Sequence, residues 1–264
     1  MARRININAD MGEGWGAYDI GDDAALLTIV KSANIACGFH GGDASVMRRT
    51  LEAAGRHGVS IGAHPGFDDL WGFGRRQIRM SPEALEHQIA YQIGAMLGMA
   101  RYAGQTVTHV KAHGALNNMA CVDRAYADAI MLAQAKVAPD LIALVMPGTE
   151  MEAAARAAGL RLGREAFVDR TYEDDGTLTP RTVAGSVIKD PTVAAERVVR
   201  MVLEETIVSR HGTPLPIGFD SLCVHGDEPT SVAVARAARA ALEGAGVEIV
   251  TLPQMLAQPT VPAA

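Results

Sequence analysis

The chain has 264 residues, 48% of them hydrophobic and 20% charged, and Lys+Arg of 24 against Asp+Glu of 30 leaves a formal net charge of -6. That composition excludes a disordered chain, and an acidic balance without any basic block argues against nucleic acid or an anionic membrane as the main partner. No apolar run approaches the roughly 20 residues that span a bilayer, and no apolar stretch follows Arg3 and Arg4, so neither membrane insertion nor export is expected.

Strand-like runs alternate with longer helical patterns along the sequence. Ile5–Ala9 opens the series and runs into Asp10, Gly12 and Glu13. Asn34–Cys37 follows and leads into Gly38-Phe39-His40-Gly41-Gly42-Asp43. Ser60–Ala63 ends at His64-Pro65-Gly66. A helix is predicted from Ser81 to Arg101, with Ser81 as N-cap, Pro82 in the first turn, and Leu85, Ile89, Ile93, Met96 and Ala100 as its apolar stripe. Thr106–Lys111 leads to His113 and Gly114, and Leu141–Met146 and Leu160–Phe167 are further strands. Asp190-Pro191 starts a second long helix. Ser221–His225 leads to Gly226-Asp227. A third helix runs from about Pro229 to Glu243, with Val234, Ala238, Ala241 and Leu242 on one face, and Val247–Val250 is the last strand.

Eight candidate strands alternating with helices, with no linker between them, fit a parallel (β/α) barrel in a single domain over residues 1–264. An open, doubly wound sheet is the competing architecture, and the absence of G-x-G-x-x-G after the first strand counts against it. Aromatics are only 5% while Gly reaches 27 and Met 12, which predicts an aliphatic core and many tight turns. Cys37, Cys121 and Cys223 are an odd number, which suits a reducing cytoplasm and a role as small core residues.

The polar residues are placed informatively. In a parallel barrel the C-terminal strand ends share one rim, where the active sites of such folds lie. Five predicted strands deliver Asp10, Glu13, His40, Asp43, His64, Lys111, His113, His225 and Asp227 to that rim, each group beside a Gly. The bland alternatives are that Asp43 and Asp227 cap the following helices and that Glu13 is a loop acid. Gly12-Glu13-Gly14-Trp15-Gly16 lacks the Lys-Ser/Thr of a phosphate-binding P-loop. Glu165, Asp169 and Arg170 cluster after the sixth strand, where an Arg fork suits a substrate carboxylate, the alternative being an internal ion pair to Arg170. Arg75, Arg76 and Arg181 are candidates of the same kind. His57, His87 and His211 fall in stretches read as helical and solvated, and His109, on the face of Lys111, reads as a hydrogen-bonded core histidine.

Five segments in order carry a resemblance. Asn8-Ala9-Asp10-Met11-Gly12-Glu13, Ala33 to His40, Gly62-Ala63-His64-Pro65, Lys111-Ala112-His113-Gly114-Ala115-Leu116 and Cys223-Val224-His225-Gly226-Asp227 resemble the LamB/YcsF family, whose members are known as one subunit type of bacterial 5-oxoprolinase. The likeness runs from about Ile5 to Leu252. It implies a seven-stranded (β/α) barrel of the glycoside hydrolase and deacetylase type. It also implies ATP-dependent opening of 5-oxo-L-proline to L-glutamate, ATP being a co-substrate, in a cytoplasmic complex with two further subunits. Two positions depart from the family pattern, Ala112 standing where Pro is usual and Asn117 where Tyr is usual, which bears on the lactam preferred.

Under that implication Asp10 or Glu13 is the base on water, Lys111 and His113 stabilise developing charge, and His40, His64, His225 and Asp227 complete the rim. Asp43, Arg75, Asp169, Arg170 and Arg181 are candidates for substrate binding. Two alternatives stay open. One is a metal-dependent amide hydrolase holding a divalent ion on Asp10, His64 and His113. The other is a non-catalytic subunit that presents substrate to a partner.

Overall fold

The computed structural model describes residues 3–257, so the expected single unit over residues 1–264 extends outside the described residues at both ends. Its strands are β1 (Arg3–Met11), β2 (Ser32–Ala36), β3 (Ser60–His64), β4 (Val107–Val110), β5 (Ile142–Val145), β6 (Leu162–Phe167), β7 (Ile207–Val208), β8 (Pro214–Leu215), β9 (Ser221–Val224) and β10 (Val247–Ile249). β1 to β6 pair in sequence order, all parallel, and β9 pairs with both β6 and β1. The result is a closed barrel of seven strands.

The eighth candidate strand lies outside that ring. β10 pairs only with Arg3–Ile5, while β9 takes β1 from Asn6 onward, so β10 extends the start of β1 instead of joining the barrel. This is why β1 is long: its first residues serve β10 and the rest serve the ring. β7 and β8 form a separate antiparallel hairpin that no alternation announced, each strand being too short to show a period. His211 sits in the turn of that hairpin and not in a helix.

The helices follow their sequence signals. α1 is Asp23–Leu27 and α2 is Ala44–Arg56. α3 is Pro82–Tyr102; Ser81 Oγ accepts from the Ala84 N–H, and Leu85, Ile89, Ile93, Met96 and Ala100 are all buried, as the spacing requires. α4 (Gly114–Ala120), α5 (Arg124–Val137) and α6 (Glu150–Ala157) follow. α7 (Pro191–Glu204) is capped by Asp190. α8 (Ser231–Gly244) buries Val234, Ala238 and Leu242, with Ala241 half-buried, and α9 is Leu252–Met255. Among the described residues no helix is long and apolar enough to cross a membrane.

The mainly aliphatic core expected from composition lies between the barrel and its helices, with Phe67 and Tyr126 among its few aromatics. Successive residues of a strand face opposite sides. Thus Ile5, Ile7, Ala9 and Met11 join the apolar core outside the barrel, and Asn6, Asn8 and Asp10 face the lumen. Hydrogen bonds between strands that are not neighbours prove the direction, since they can only run through the lumen: Asn8 Nδ2 donates to Glu165 Oε1 (2.9 Å), and His109 Nε2 bonds Asn34 Oδ1 (2.9 Å).

Candidate active site

A cavity of about 450 Å³ opens at the C-terminal ends of the strands; Asp10, His64, Lys111, His113, Arg181 and His225 are among its lining residues. Four of the five sequence-predicted strand ends therefore deliver a side chain to one mouth, and the remaining predicted groups sit behind it or beside it.

At the floor, Lys111 Nζ lies 2.8 Å from Asp10 Oδ1, 3.1 Å from Glu165 Oε1 and 3.0 Å from Cys223 Sγ, so each ammonium proton has a partner. Asp10 Oδ1 also accepts from Asn34 Nδ2 at 2.8 Å, and Asp10 Oδ2 is 3.3 Å from His64 Nε2. Burial alone pushes the Asp10 carboxyl up, but His64 and Lys111 outweigh it and hold Asp10 well below the usual carboxylate range. Burial opposes the charge on Lys111, yet Asp10, Cys223 and Glu165 hold its ammonium well above the ordinary lysine value. Asp10 and Lys111 thus favour the charged form of each other in a buried setting.

Behind this pair lies a group of imidazoles. Glu13, His40, His64 and His113 are all buried, and each brings one ligand atom to within 4.8 Å of the others. His40 Nε2 is 3.1 Å from Glu13 Oε1, and the rings of His40 and His113 stack at 3.6 Å. Burial, with Asp10 and Asp227 nearby, pushes the Glu13 carboxyl well above its usual value. Burial also depresses His40 and His113 well below the ordinary histidine value, and neighbouring imidazoles add to the effect. Gly74 (φ +62°) is required here, since a Cβ on it would fall 2.6 Å from His113 and 2.7 Å from His40.

On the opposite wall, the His225 Nδ1 is 3.0 Å from both oxygens of Asp169, whose Oδ2 also accepts from the His225 backbone N–H at 3.1 Å. A carboxylate that accepts at Nδ1 leaves Nε2 as the free nitrogen of this ring. Asp169 is buried, and His225 outweighs the effect of that burial and keeps its carboxyl low. It is not among the cavity-lining residues, so it stands behind His225 instead of facing a ligand.

Arg75, Arg170 and Arg181 bring three guanidinium groups to the cavity. Arg75 pairs with Asp227 at 2.8 Å, and Arg181 approaches Glu228 at 3.6 Å. Arg170 makes neither of the internal ion pairs considered from sequence: it donates to the Ser186 and Thr179 carbonyls and so fastens the segment 170–187 over the mouth. Burial and the proximity of Arg181 lower Arg170 to about 10, and burial with Arg75 lowers Arg181. Mutual repulsion of this kind is relieved by an anion.

The remaining candidates are placed differently. Asp43 caps α2, accepting from Ser45 and Val46 N–H and also from Gly16 N–H, and does not line the cavity. Arg76 is tied to Asp69. His109 is a core histidine bonded to Asn34 and Thr108. The sequence does not single out Asn8, Asn34 and Cys223 as supports of the charged pair, and it offers Glu165 only within the cluster with Asp169 and Arg170, not as a partner of Lys111. The available signal was Asn6-x-Asn8-x-Asp10, a period-two polar row inside an apolar strand.

Residues 5–257 match the model of the LamB/YcsF family. The chain belongs to the LamB/YcsF family. Among LamB/YcsF relatives, a 5-oxoprolinase subunit of Heliobacterium modesticaldum is 50% identical, covering 93% of this chain and 97% of that protein. Another of the same name from Rhodopseudomonas palustris is 49% identical over 94% of this chain and 98% of its own length. The solved structure of a lactam utilization protein from Thermus thermophilus superposes with a TM-score of 0.89 at 46% identity, covering 94% of this chain and 99% of that one. The LamB/YcsF barrel is thus matched along its whole ring.

Proposed function

We propose that this chain is the ring-opening subunit of an ATP-dependent 5-oxoprolinase, a hydrolase that converts 5-oxo-L-proline to L-glutamate with ATP passing to ADP and phosphate. The observation that carries the reading is the cavity itself, where an oriented imidazole, a buried Asp–Lys pair and three arginines face one space. The relatives named as 5-oxoprolinase subunits support the substrate class and a multi-subunit enzyme.

A five-membered lactam is a poor electrophile because its amide is resonance-stabilised. Transfer of a phosphoryl group to the lactam oxygen makes the ring carbon attackable. The sequence holds no P-loop, so two partner subunits carry out that transfer and this chain receives the activated ring. His225, held by Asp169, takes the proton from water as it adds to the ring carbon through its free Nε2. The ring C–N bond then breaks, the nitrogen takes up a proton with His225 as the near donor, and the carboxyl phosphate left on the former ring carbon is cleaved by a second water to give L-glutamate and phosphate. The arginines suit the carboxylate and phosphate of the bound molecule. Lys111 has no unshared proton, so it and Asp10 act through their field and by fixing His64. Asn117 lines the cavity where the family pattern has Tyr, and it tunes which lactam fits. Free Cys37, Cys121 and Cys223 accord with a cytoplasmic site of action.

A metal-dependent amide hydrolase is a second reading, favoured by the donor group around Glu13 and His113. The test is reconstitution of the complex with ATP and 5-oxo-L-proline, following glutamate and phosphate. Glutamate should require this chain, and Asp10→Asn should lower its formation at least about 100-fold. Wild-type turnover by Asp10→Asn, or glutamate formed by the partners alone, would contradict the reading.

A further inference from the structure

A proton count around His64 and His113 exposes a conflict. Carbonyl oxygens only accept, so His64 Nδ1, 2.8 Å from the Lys111 carbonyl, carries its ring proton there. By the same reasoning His113 Nε2, 2.8 Å from the Phe73 carbonyl, carries its proton on that side. With both rings neutral, the remaining nitrogens, His64 Nε2 and His113 Nδ1, therefore face each other at 3.0 Å with a lone pair each, and Asp10 Oδ2 adds another 3.3 Å from His64 Nε2. Two neutral imidazoles cannot bond in that way. Glu13 Oε1 adds a further lone pair 3.4 Å from His113 Nδ1.

These separations have a meaning. With bonds of about 2.0–2.1 Å, the ligand atoms of a tetrahedral zinc-type site lie about 3.3–3.4 Å apart. His113 Nδ1 stands near that spacing from both other donors, 3.0 Å from His64 Nε2 and 3.4 Å from Glu13 Oε1, and the ligand atoms of the whole group lie within 4.8 Å of one another. Each histidine is also oriented through its other nitrogen by a backbone carbonyl, which is how ligating imidazoles are held. One of those carbonyls belongs to Phe73, a non-glycine residue in the left-handed region (φ 54°), a conformation that costs energy and persists where its surroundings enforce it. His40 stacks on His113, so its nitrogens cannot aim at the same point as those of His113; it instead holds Glu13 through Nε2. The charges agree. Asp10 and Glu165 share Lys111, whereas among the described residues the Glu13 carboxylate has ion-pair contacts with histidines alone.

We infer that Glu13 Oε1, His64 Nε2 and His113 Nδ1 bind one divalent transition-metal ion, of the zinc, cobalt or manganese kind, with the fourth position toward the cavity. His64 and His113 line that cavity and Glu13 lies behind them. Two imidazoles and one carboxylate favour such ions over Mg²⁺ or Ca²⁺, which take oxygen ligands. This replaces Asp10 in the ligand set read from sequence by Glu13, because Asp10 already balances the Lys111 ammonium, whereas Glu13 Oε1 stands 3.4 Å from His113 Nδ1. The site deepens the ring-opening reading by placing an ion at the same mouth, but its binding is measured without turnover.

The full chain, stripped with chelator, is titrated with Zn²⁺ by equilibrium dialysis and elemental analysis, and with Co²⁺ by visible absorption. One equivalent should bind, and Co²⁺ should give the intense bands of a four- or five-coordinate site. His64→Ala and His113→Ala should abolish binding, and His40→Ala should weaken it about 10- to 100-fold. His57→Ala, at an exposed position, should leave binding unchanged. Circular dichroism checks folding; if a histidine variant does not fold, Glu13→Gln and the wild-type Co²⁺ spectrum decide. No saturable binding by the folded wild-type chain, as expected if His64 instead carries a second proton at Nε2, overturns the inference. So does binding that survives both histidine substitutions. Glutamate formation is followed separately in the complex, so failure of the metal site and failure of the ring-opening reading are distinguishable.

Discussion

The two halves of the barrel lumen are both polar, and they are built on opposite terms. In the half away from the mouth the groups are neutral and every bond is closed. Asn6 Nδ2 donates to Ser32 Oγ (2.9 Å) and the Val250 carbonyl (2.7 Å), Ser221 Oγ donates to Asn6 Oδ1 (2.6 Å), and Asn34 Nδ2 donates to Asn8 Oδ1 (2.7 Å). At the mouth the groups are charged or titratable, and the closure fails: His64 and His113 oppose lone pairs, His40 Nδ1 is buried without a partner, and the arginines crowd. A satisfied neutral network specifies and stiffens the ring. An unsatisfied charged one stores binding potential for a ligand.

That contrast can be broken from either side. The largest effect should come from the mouth: His225→Ala should lower glutamate formation by the reconstituted enzyme about 10²- to 10⁴-fold while leaving the thermal midpoint nearly unchanged. A loss of stability comparable to a core substitution would mean that His225 belongs to the scaffold. In the other half, Asn6→Ala strips the partners of Ser32 and Ser221 and should cost about 2–4 kcal/mol in urea unfolding, with turnover of the folded protein little altered.

A third test uses pH. Asp23, in α1, accepts from the Gly12 N–H at 2.8 Å, but burial, with Asp22 and Asp19 adding, pushes its carboxyl up to about 6. The folded state then holds this proton more tightly than the unfolded state, so the contribution of Asp23 to stability is full below about pH 4 and is lost as pH rises through 6. Asp23→Asn should therefore stabilise the chain by about 1–3 kcal/mol at pH 8 and by almost nothing at pH 4, read from urea midpoints. An equal gain at both values would refute the burial account. The smallest effect lies far from the lumen, where Ser81→Ala removes the cap of α3 and should cost about 1 kcal/mol in thermal or urea unfolding without touching activity.

These two halves were unequally legible in the sequence. The rim was readable because Asp10, His64, Lys111 and His225 each follow an apolar run and stand beside a turn, and local pattern is enough to place a strand end. The helical stripe from Leu85 to Ala100 was readable for the same reason. The lumen network was not, because Asn8 meets Glu165 and His109 meets Asn34 across a ring whose closure no local pattern reveals. The ring count was off by one strand because β10 has an ordinary strand composition, and only the prior claim of β9 on β1 excludes it. The role of Asp169 was hidden likewise: next to Arg170 in sequence, it turns to His225 56 residues away.

The most direct measurement is a crystal structure of the chain with 5-oxo-L-proline bound. The ring should lie in the rim cavity, its carboxylate against Arg75 or Arg181 and its carbonyl carbon within reach of a water held by His225 Nε2. A ligand seated elsewhere, or seated there with its ring carbonyl turned away from His225, would contradict the ring-opening reading.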